Sequence, residues 1–140
     1  MRKLLILAST LLLCCCSSNK AEAVADYDYS DVIDLTVCWD DIFSIQLESY
    51  FVYIYSSTCG HCNEIKQDVI SYALNNPDTL YFVSFNKDIP IVNDRFYPIG
   101  KTAIDDLGIV GTPSMFLIVN HIVEENYVGK KEIIRTLTNE

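Results

Sequence analysis

Positive charge is scarce in this chain. Its 140 residues hold 10 Lys and Arg against 19 Asp and Glu, a net charge of −9. Nothing in it resembles a basic patch, so nucleic acid is not an expected partner. Long apolar runs are also missing. A membrane-crossing helix needs about 20 apolar residues, and the longest run here, Leu4 to Cys16, has 13. Histidine is rare, with two in the chain, and only Cys38, Cys59 and Cys62 lie beyond residue 16. A zinc site would need two ligands besides a cysteine pair, and Cys38 and His121 are not suitably spaced to supply them, so no metal is expected. Three thiols do not make a disulfide-stapled scaffold, so the core must come from ordinary burial. Half of the residues are hydrophobic, enough for one domain with a sizeable core. There is no internal repeat and no sign of a second domain.

The chain opens on a targeting pattern. Arg2 and Lys3 precede the apolar run, and Ser17-Ser18-Asn19-Lys20 turns polar at once. That run has the length of a secretory h-region, which implies export to a compartment where disulfides persist. A short leader closing on Leu-x-x-Cys before Ser-Ser-Asn resembles a bacterial lipoprotein signal. The resemblance implies a lipid anchor on Cys16, preceded by Leu13-Cys14-Cys15, or on Cys15, preceded by Leu12-Leu13-Cys14. Neither option has the Gly, Ala or Ser that such signals favour just before the cysteine. An ordinary cleavage site at Ala21-Glu22-Ala23, giving a secreted protein, is the alternative. The expected division is a signal segment over 1–16, a flexible tether over 17–30 and one domain over 31–140.

Along that domain, Val32 to Val37 alternates like a short strand, and Trp39 to Glu48 carries a helical apolar stripe (Trp39, Ile42, Phe43, Leu47). Tyr50 to Tyr55 is β-branched and aromatic, the pattern of a buried central strand. Ser56-Ser57-Thr58 has helix-capping chemistry. Cys62, Ile65, Val69, Tyr72 and Ala73 recur at helical spacing and predict a helix over 60–74, stopped by Asn75-Asn76-Pro77-Asp78. Leu80 to Phe85 predicts a strand and Lys101 to Leu107 a short helix, after a long connection over 86–100. Ser114 to Val119 and Ile122 to Val128 predict a hairpin turning at Asn120-His121, before a last helix over 130–137. The predicted class is α/β, in the order β-α-β-α-β-α-β-β-α, with a mixed central sheet flanked by helices.

Chemistry enters at Cys59-Gly60-His61-Cys62, between the central strand and the long helix. Two thiols at that spacing can alternate between dithiol and disulfide, and a helix start favours the thiolate, which is the nucleophile. His61, when protonated, would stabilise that thiolate; as a solvated loop residue it would do nothing. A structural disulfide is the bland reading of the pair. Haem attachment would need His after Cys62, where Asn63 stands. Cys38 reads as a buried free thiol, and His121 as exposed and inert.

The strand, the Cys59-Gly60-His61-Cys62 motif, the helix, then Gly111-Thr112-Pro113, a hairpin and a final helix together resemble the thioredoxin superfamily over 31–140. The Gly60-His61 pair is similar to that of protein disulfide isomerase, and Thr112 to exported bacterial members. The resemblance implies a thioredoxin fold, a cis bond before Pro113, and a thiol–disulfide oxidoreductase without cofactor. It implies Cys59 as nucleophile, Cys62 as resolving thiol, Gly60 and His61 as redox-tuning residues, and Thr112 and Pro113 as the dock for an extended substrate. Partners would be exported protein thiols or disulfides and a protein that resets the pair, with the chain acting as a monomer. The family's buried acid, six residues before the first cysteine, is replaced here by Tyr53. A non-catalytic binding module with a static Cys59–Cys62 bond is the other class of function open to the chain.

Overall fold

The structure, a computed structural model, describes residues 25–77 and 79–139. The signal segment 1–16, the lipidation candidates Cys15 and Cys16, the Ala21-Glu22-Ala23 alternative and the tether up to residue 24 lie outside the described residues.

Four strands form one mixed sheet. They are β1 (Ser49–Tyr55), β2 (Leu80–Ser84), β3 (Ser114–Val119) and β4 (Ile122–Val128), in the spatial order β2-β1-β3-β4. β1 pairs parallel with β2, and helix α1 (Gly60–Asn75) makes the crossover. β3 pairs antiparallel with both β1 and β4. Helix α2 (Lys130–Thr138) closes the chain. The hairpin turns on two residues with positive φ, Asn120 (49°) and His121 (62°). Such a turn matches the right-handed twist of its strands, and Asn tolerates that backbone well.

The alternation of β1 sorts the core into two layers, because successive side chains point to opposite faces. Tyr53 and Tyr55 join Phe82, Met115, Ile65, Val69, Ile70 and Ile133 under α1 and α2. Tyr50, Val52 and Ile54 join Phe116, Ile118, Trp39 and Ile42 on the other face. There the cover is a 3-10 helix, Trp39–Ser44, together with Ile89, Leu107 and Ile109 from the connection. The Tyr50 hydroxyl donates to the Ile42 carbonyl at 2.7 Å, tying that 3-10 helix to the sheet.

Both outer strands are covered by irregular chain. Val37 N–H donates to Phe82 O beside β2. On β4, Gly100 N–H donates to Val123 O and Val123 N–H donates back to Lys101 O. Edge pairing of this kind removes open backbone groups that would invite association. Nearby, Pro90 to Val92 runs against Ile109 through two backbone hydrogen bonds of 2.9 Å. A Cβ on Gly108 would come within 2.7 Å of Val92 Cγ1, so this close approach needs glycine.

Five expectations are corrected. The strand expected over 32–37 is a 3-10 helix, Tyr29–Leu35, followed by a single parallel bridge from Thr36 to Phe82. A capping box made by Asp28 and Asp31 starts that helix and overrides the alternation. The element order is therefore one strand shorter than expected, and the helices expected over 39–48 and 101–107 are short 3-10 turns, Trp39–Ser44 and Ile104–Asp106. The tether does not run to residue 30. Tyr27 N–H donates to Gln67 Oε1, Gln67 Nε2 donates to Tyr27 O, and Lys66 pairs with Asp28, so 26–30 lie along α1. Cys38 is exposed rather than buried.

Removing the Tyr50 hydroxyl leaves the Ile42 carbonyl without its buried donor. Tyr50→Phe is expected to lower stability by about 1–2 kcal/mol. The urea midpoint should fall with the slope unchanged; an unchanged midpoint would show that the bond contributes nothing.

Candidate active site

β1 delivers the chain to the site. It runs between β2 and β3 and ends at Tyr55, where Ser56-Ser57-Thr58 turns the backbone into α1. Thr58 N–H and Thr58 Oγ1 both meet Ser56 Oγ, and Cys59 N–H donates to Ser56 O. These serines and threonine shape the turn, but the helix cap is Cys59 itself. Its sulfur accepts the Cys62 backbone N–H at 3.2 Å. The first thiol therefore occupies the place where a helix leaves backbone donors without partners.

Cys59 is half-buried, while Cys62, one turn on, has no exposed surface. Gly60 and His61 between them are exposed. The structure holds the pair as free thiols. Thr112 and Pro113 arrive from β3, whose register places Ser114 beside Ile54. The Thr112–Pro113 bond is cis. The Cys59 thiol donates to the Thr112 carbonyl at 3.3 Å, so the motif and the proline loop meet across 53 positions of sequence.

The two sulfurs are electrostatically unequal. Partial burial works against ionising Cys59, but hydrogen bonds from the Cys62 and Thr112 side chains and from the Cys62 and His61 backbone outweigh it. The Cys59 pKa is held below the ordinary thiol value. Burial pushes the Cys62 thiol the other way, to about 11, and its hydrogen bond to Cys59 adds to the rise. Since the pair is coupled, its titration belongs to both groups, with Cys59 losing its proton first.

His61 stands outside this contact. Its Nδ1 lies 3.4 Å from Glu64 Oε1, and Glu64 also pairs with Lys130 at the start of α2. Glu64 thus sits between His61 and Lys130 at the mouth of the site, a grouping the sequence did not reveal. Beneath Cys62, the floor is aromatic. Tyr53 has no exposed surface, and Tyr29 stacks on Tyr55 with ring centroids 3.6 Å apart. The sequence placed Tyr29 in the tether and gave no reason to associate it with the site. His121 is exposed, and its ring nitrogen meets Phe43 O at 2.9 Å, away from the thiols. No cluster of His, Cys, Asp or Glu among the described residues could hold a metal ion, and no helix among them is long and apolar enough to cross a membrane.

No family model and no curated protein matches this chain. Solved structures do. Thioredoxin f2 of Chlamydomonas reinhardtii superposes with a TM-score of 0.50 at 19% identity, over 75% of this chain and 94% of its own. The short form of thioredoxin f from spinach chloroplast gives 0.51 at 18% identity, over 74% of this chain and 91% of its own. At such identities the likeness speaks for architecture. The chain has the thioredoxin fold, in the α/β class, with a mixed four-stranded sheet and its CxxC-spaced thiols at the start of α1.

Proposed function

We propose that this protein is an exported thiol–disulfide oxidoreductase that exchanges disulfides with protein substrates through Cys59 and Cys62. The observation that carries the reading is the unequal pair: a half-exposed thiol inclined to ionise, capping a helix, and a buried thiol inclined not to. An ionised, accessible sulfur can attack; a buried protonated one can wait.

The steps balance as follows. The Cys59 thiolate attacks one sulfur of a substrate disulfide; the other substrate sulfur leaves and takes a proton. Cys62 then gives up its proton and attacks Cys59 Sγ. The Cys59–substrate bond breaks, and the second substrate sulfur leaves as a thiol. Two electrons have passed from the protein pair to the substrate. Run backwards, the same steps place a disulfide in the substrate. The Thr112 carbonyl meets the Cys59 thiol, and an extended substrate segment would dock at Thr112 and Pro113 beside the attacked bond.

The leader supports export, with a lipid anchor on Cys16 or Cys15 holding the domain at a membrane. Palmitate labelling of the mature chain is the expected result; an unlabelled product starting near Val24 would replace the anchor with secretion. Gly60-His61 favours an oxidant-leaning couple, nearer the value of about −180 mV for protein disulfide isomerase than the roughly −270 mV of thioredoxin. A glutathione titration of the couple measures this, and a value near thioredoxin's would reverse the assignment.

In the reduced protein, Cys59 should alkylate first. Its rate should rise with pH through a pKa below the ordinary thiol value and then level off, while Cys62 stays protected until the pH approaches about 11. In addition, Cys62→Ser should trap mixed disulfides with exported proteins. An ordinary Cys59 pKa with no trapped partner would point instead to a binding module with a static bond.

Glu64 opposes the charge of a protonated His61. Glu64→Gln should therefore lower the Cys59 pKa and raise the reduction potential. At this exposed position the effect should be no more than about 1 kcal/mol and should fade at high salt. A shift in the opposite direction would remove His61 from the tuning of the pair.

A further inference from the structure

Among the described residues, two polar side chains are buried in the core, Ser114 and Asn126. Burying a polar group costs free energy unless it is hydrogen-bonded. Both lie on the strands that flank one loop, Ser114 on β3 and Asn126 on β4. The Ser114 hydroxyl donates to Gly111 O at 2.6 Å, closing the loop that carries Thr112 and Pro113. Asn126 Nδ2 donates to Arg95 O at 2.7 Å, and Arg95 Nη2 reaches back to Asn126 O more loosely, at 3.5 Å. Two residues after Asn126, Val128 pairs with Ser114 across the β3–β4 ladder. Arg95 comes from the long connection over 86–100, yet these contacts fasten it to β4 beside the loop.

A chain of contacts runs from Arg95 to the first thiol. Arg95 grips Glu132 with two hydrogen bonds, Nη1 to Oε1 at 3.0 Å and Nη2 to Oε2 at 2.7 Å. Glu132 Oε2 also accepts the Val128 backbone N–H at 3.0 Å. The next N–H along, that of Gly129, donates to Pro113 O at 2.9 Å. One residue before Pro113, the Thr112 carbonyl accepts from the Cys59 thiol. Gly129 is the N-cap of α2 and has no side chain to satisfy the helix start. A Glu at the third helical position ordinarily turns back to the N-cap N–H. Here Pro113 O takes that N–H, and Glu132 takes the one before it. Exposed ion pairs contribute little, but this one is partly buried, bidentate and shared with a backbone donor. The Glu132 carboxyl is held below its ordinary range, foremost by Arg95 and then by the Val128 N–H, so it stays an acceptor into acidic pH.

We propose that Arg95 and Glu132 are positioning residues for the substrate dock. Their ion pair fixes the end of β4 and the start of α2 against Pro113. It thereby sets how Thr112 and Pro113 present their backbone to an extended substrate beside Cys59. This rests on the exchange reading above, in which Thr112 and Pro113 are the dock. The groups that act most on the two sulfurs do not include either residue. The pair therefore governs the alignment of a bound polypeptide and not the reactivity of the thiol. A disulfide too small to lie along the loop gains nothing from that alignment.

The test compares a long and a short substrate. The full chain carrying Cys14→Ser, Cys15→Ser, Cys16→Ser and Cys38→Ser is reduced and given one of two probes. Both are mixed disulfides of a nitroaryl thiol, one with a small aminothiol and one with an extended peptide holding a single cysteine. Cys59 attacks the non-aryl sulfur, and the coloured aryl thiolate leaves. Cys62 then gives up its proton to the departing sulfur and attacks Cys59 Sγ, releasing the aminothiol or the peptide as a thiol. Arg95→Ala and Glu132→Ala should each raise the half-saturating peptide concentration about 10-fold, with the maximal rate and the aminothiol rate within about twofold of the parent. The double variant should do no worse than either single one, because the two side chains act as a unit. Arg95→Lys makes one contact where arginine makes two, and Glu132→Gln keeps an oxygen for the Val128 N–H, so both should fall in between. Tyr50→Phe is the control for stability alone; it should lower the urea midpoint without changing the ratio of the two probes. Variants that keep the parent's ratio, or that slow both probes alike, overturn this proposal and leave the exchange reading standing. A parent that releases the aryl thiolate but never the peptide overturns both.

Discussion

β1 is hydrogen-bonded on both sides, to β2 and to β3, and covered on both faces by apolar layers. A strand held in this way cannot slip by one residue without exchanging its two faces. Its end at Tyr55 is therefore fixed, and with it the turn that starts α1. The β1–β3 register then fixes a second point, since Ile54 opposite Ser114 brings Pro113 level with the end of β1. The contact between the Cys59 sulfur and the Thr112 carbonyl follows from these two constraints. Neither loop needs to find the other; the sheet has already placed both.

The difference between the two thiols follows from the same geometry. A helix leaves its first backbone N–H groups without partners, and here a sulfur occupies the cap. One turn later the helix has entered the core, so the second sulfur is buried among side chains and shielded from water. Identical side chains three positions apart thus acquire opposite tendencies. The pair is unequal because the helix begins at the surface and runs inward, and any Cys-x-x-Cys at such a junction would share that bias. What is particular to this chain lies at the margins. Glu64 stands between His61 and Lys130 outside, and a tyrosine floor lies beneath.

The legible parts of the sequence were those in which one signal dominates. Tyr50–Tyr55 is continuous β-former, Gly60–Asn75 keeps one helical stripe, and Ser114–Val128 is two strands around Asn120-His121. These formed as expected, and so did the cis bond at Pro113. The failures came where a local polar device competed with periodicity. Val32-Ile33-Asp34-Leu35 alternates like a strand, but the Asp28–Asp31 capping box commits it to a 3-10 turn, leaving Ile33 at 66% exposure. The stripe at Trp39–Leu47 needed only one buried turn, because the strand Tyr50 starts soon after and the Tyr50 hydroxyl takes the Ile42 carbonyl. The connection after Phe85 carried no periodicity, and its pairing with β4 through Gly100 and Lys101 is a tertiary fact. At the site, the motif residues could be named from spacing alone. Tyr29 could not, since nothing in Asp26-Tyr27-Asp28-Tyr29-Ser30 states that Gln67 and Lys66 will hold that segment along α1.

The absence of charge in the core sharpens the meaning of that floor. Among the described residues, the buried polar side chains are Ser114 and Asn126, and neither carries charge. A thiolate formed at Cys62 would therefore appear in an apolar layer with few compensating groups, so burial is the foremost cause of its raised pKa, with Cys59 adding to it. A carboxylate placed there would add a second like charge to the same layer and deepen the difficulty whenever both were ionised. A phenol adds no charge. It packs as a hydrophobic ring. Tyrosine at position 53 thus fills the core layer it shares with Cys62 without adding a charge to it.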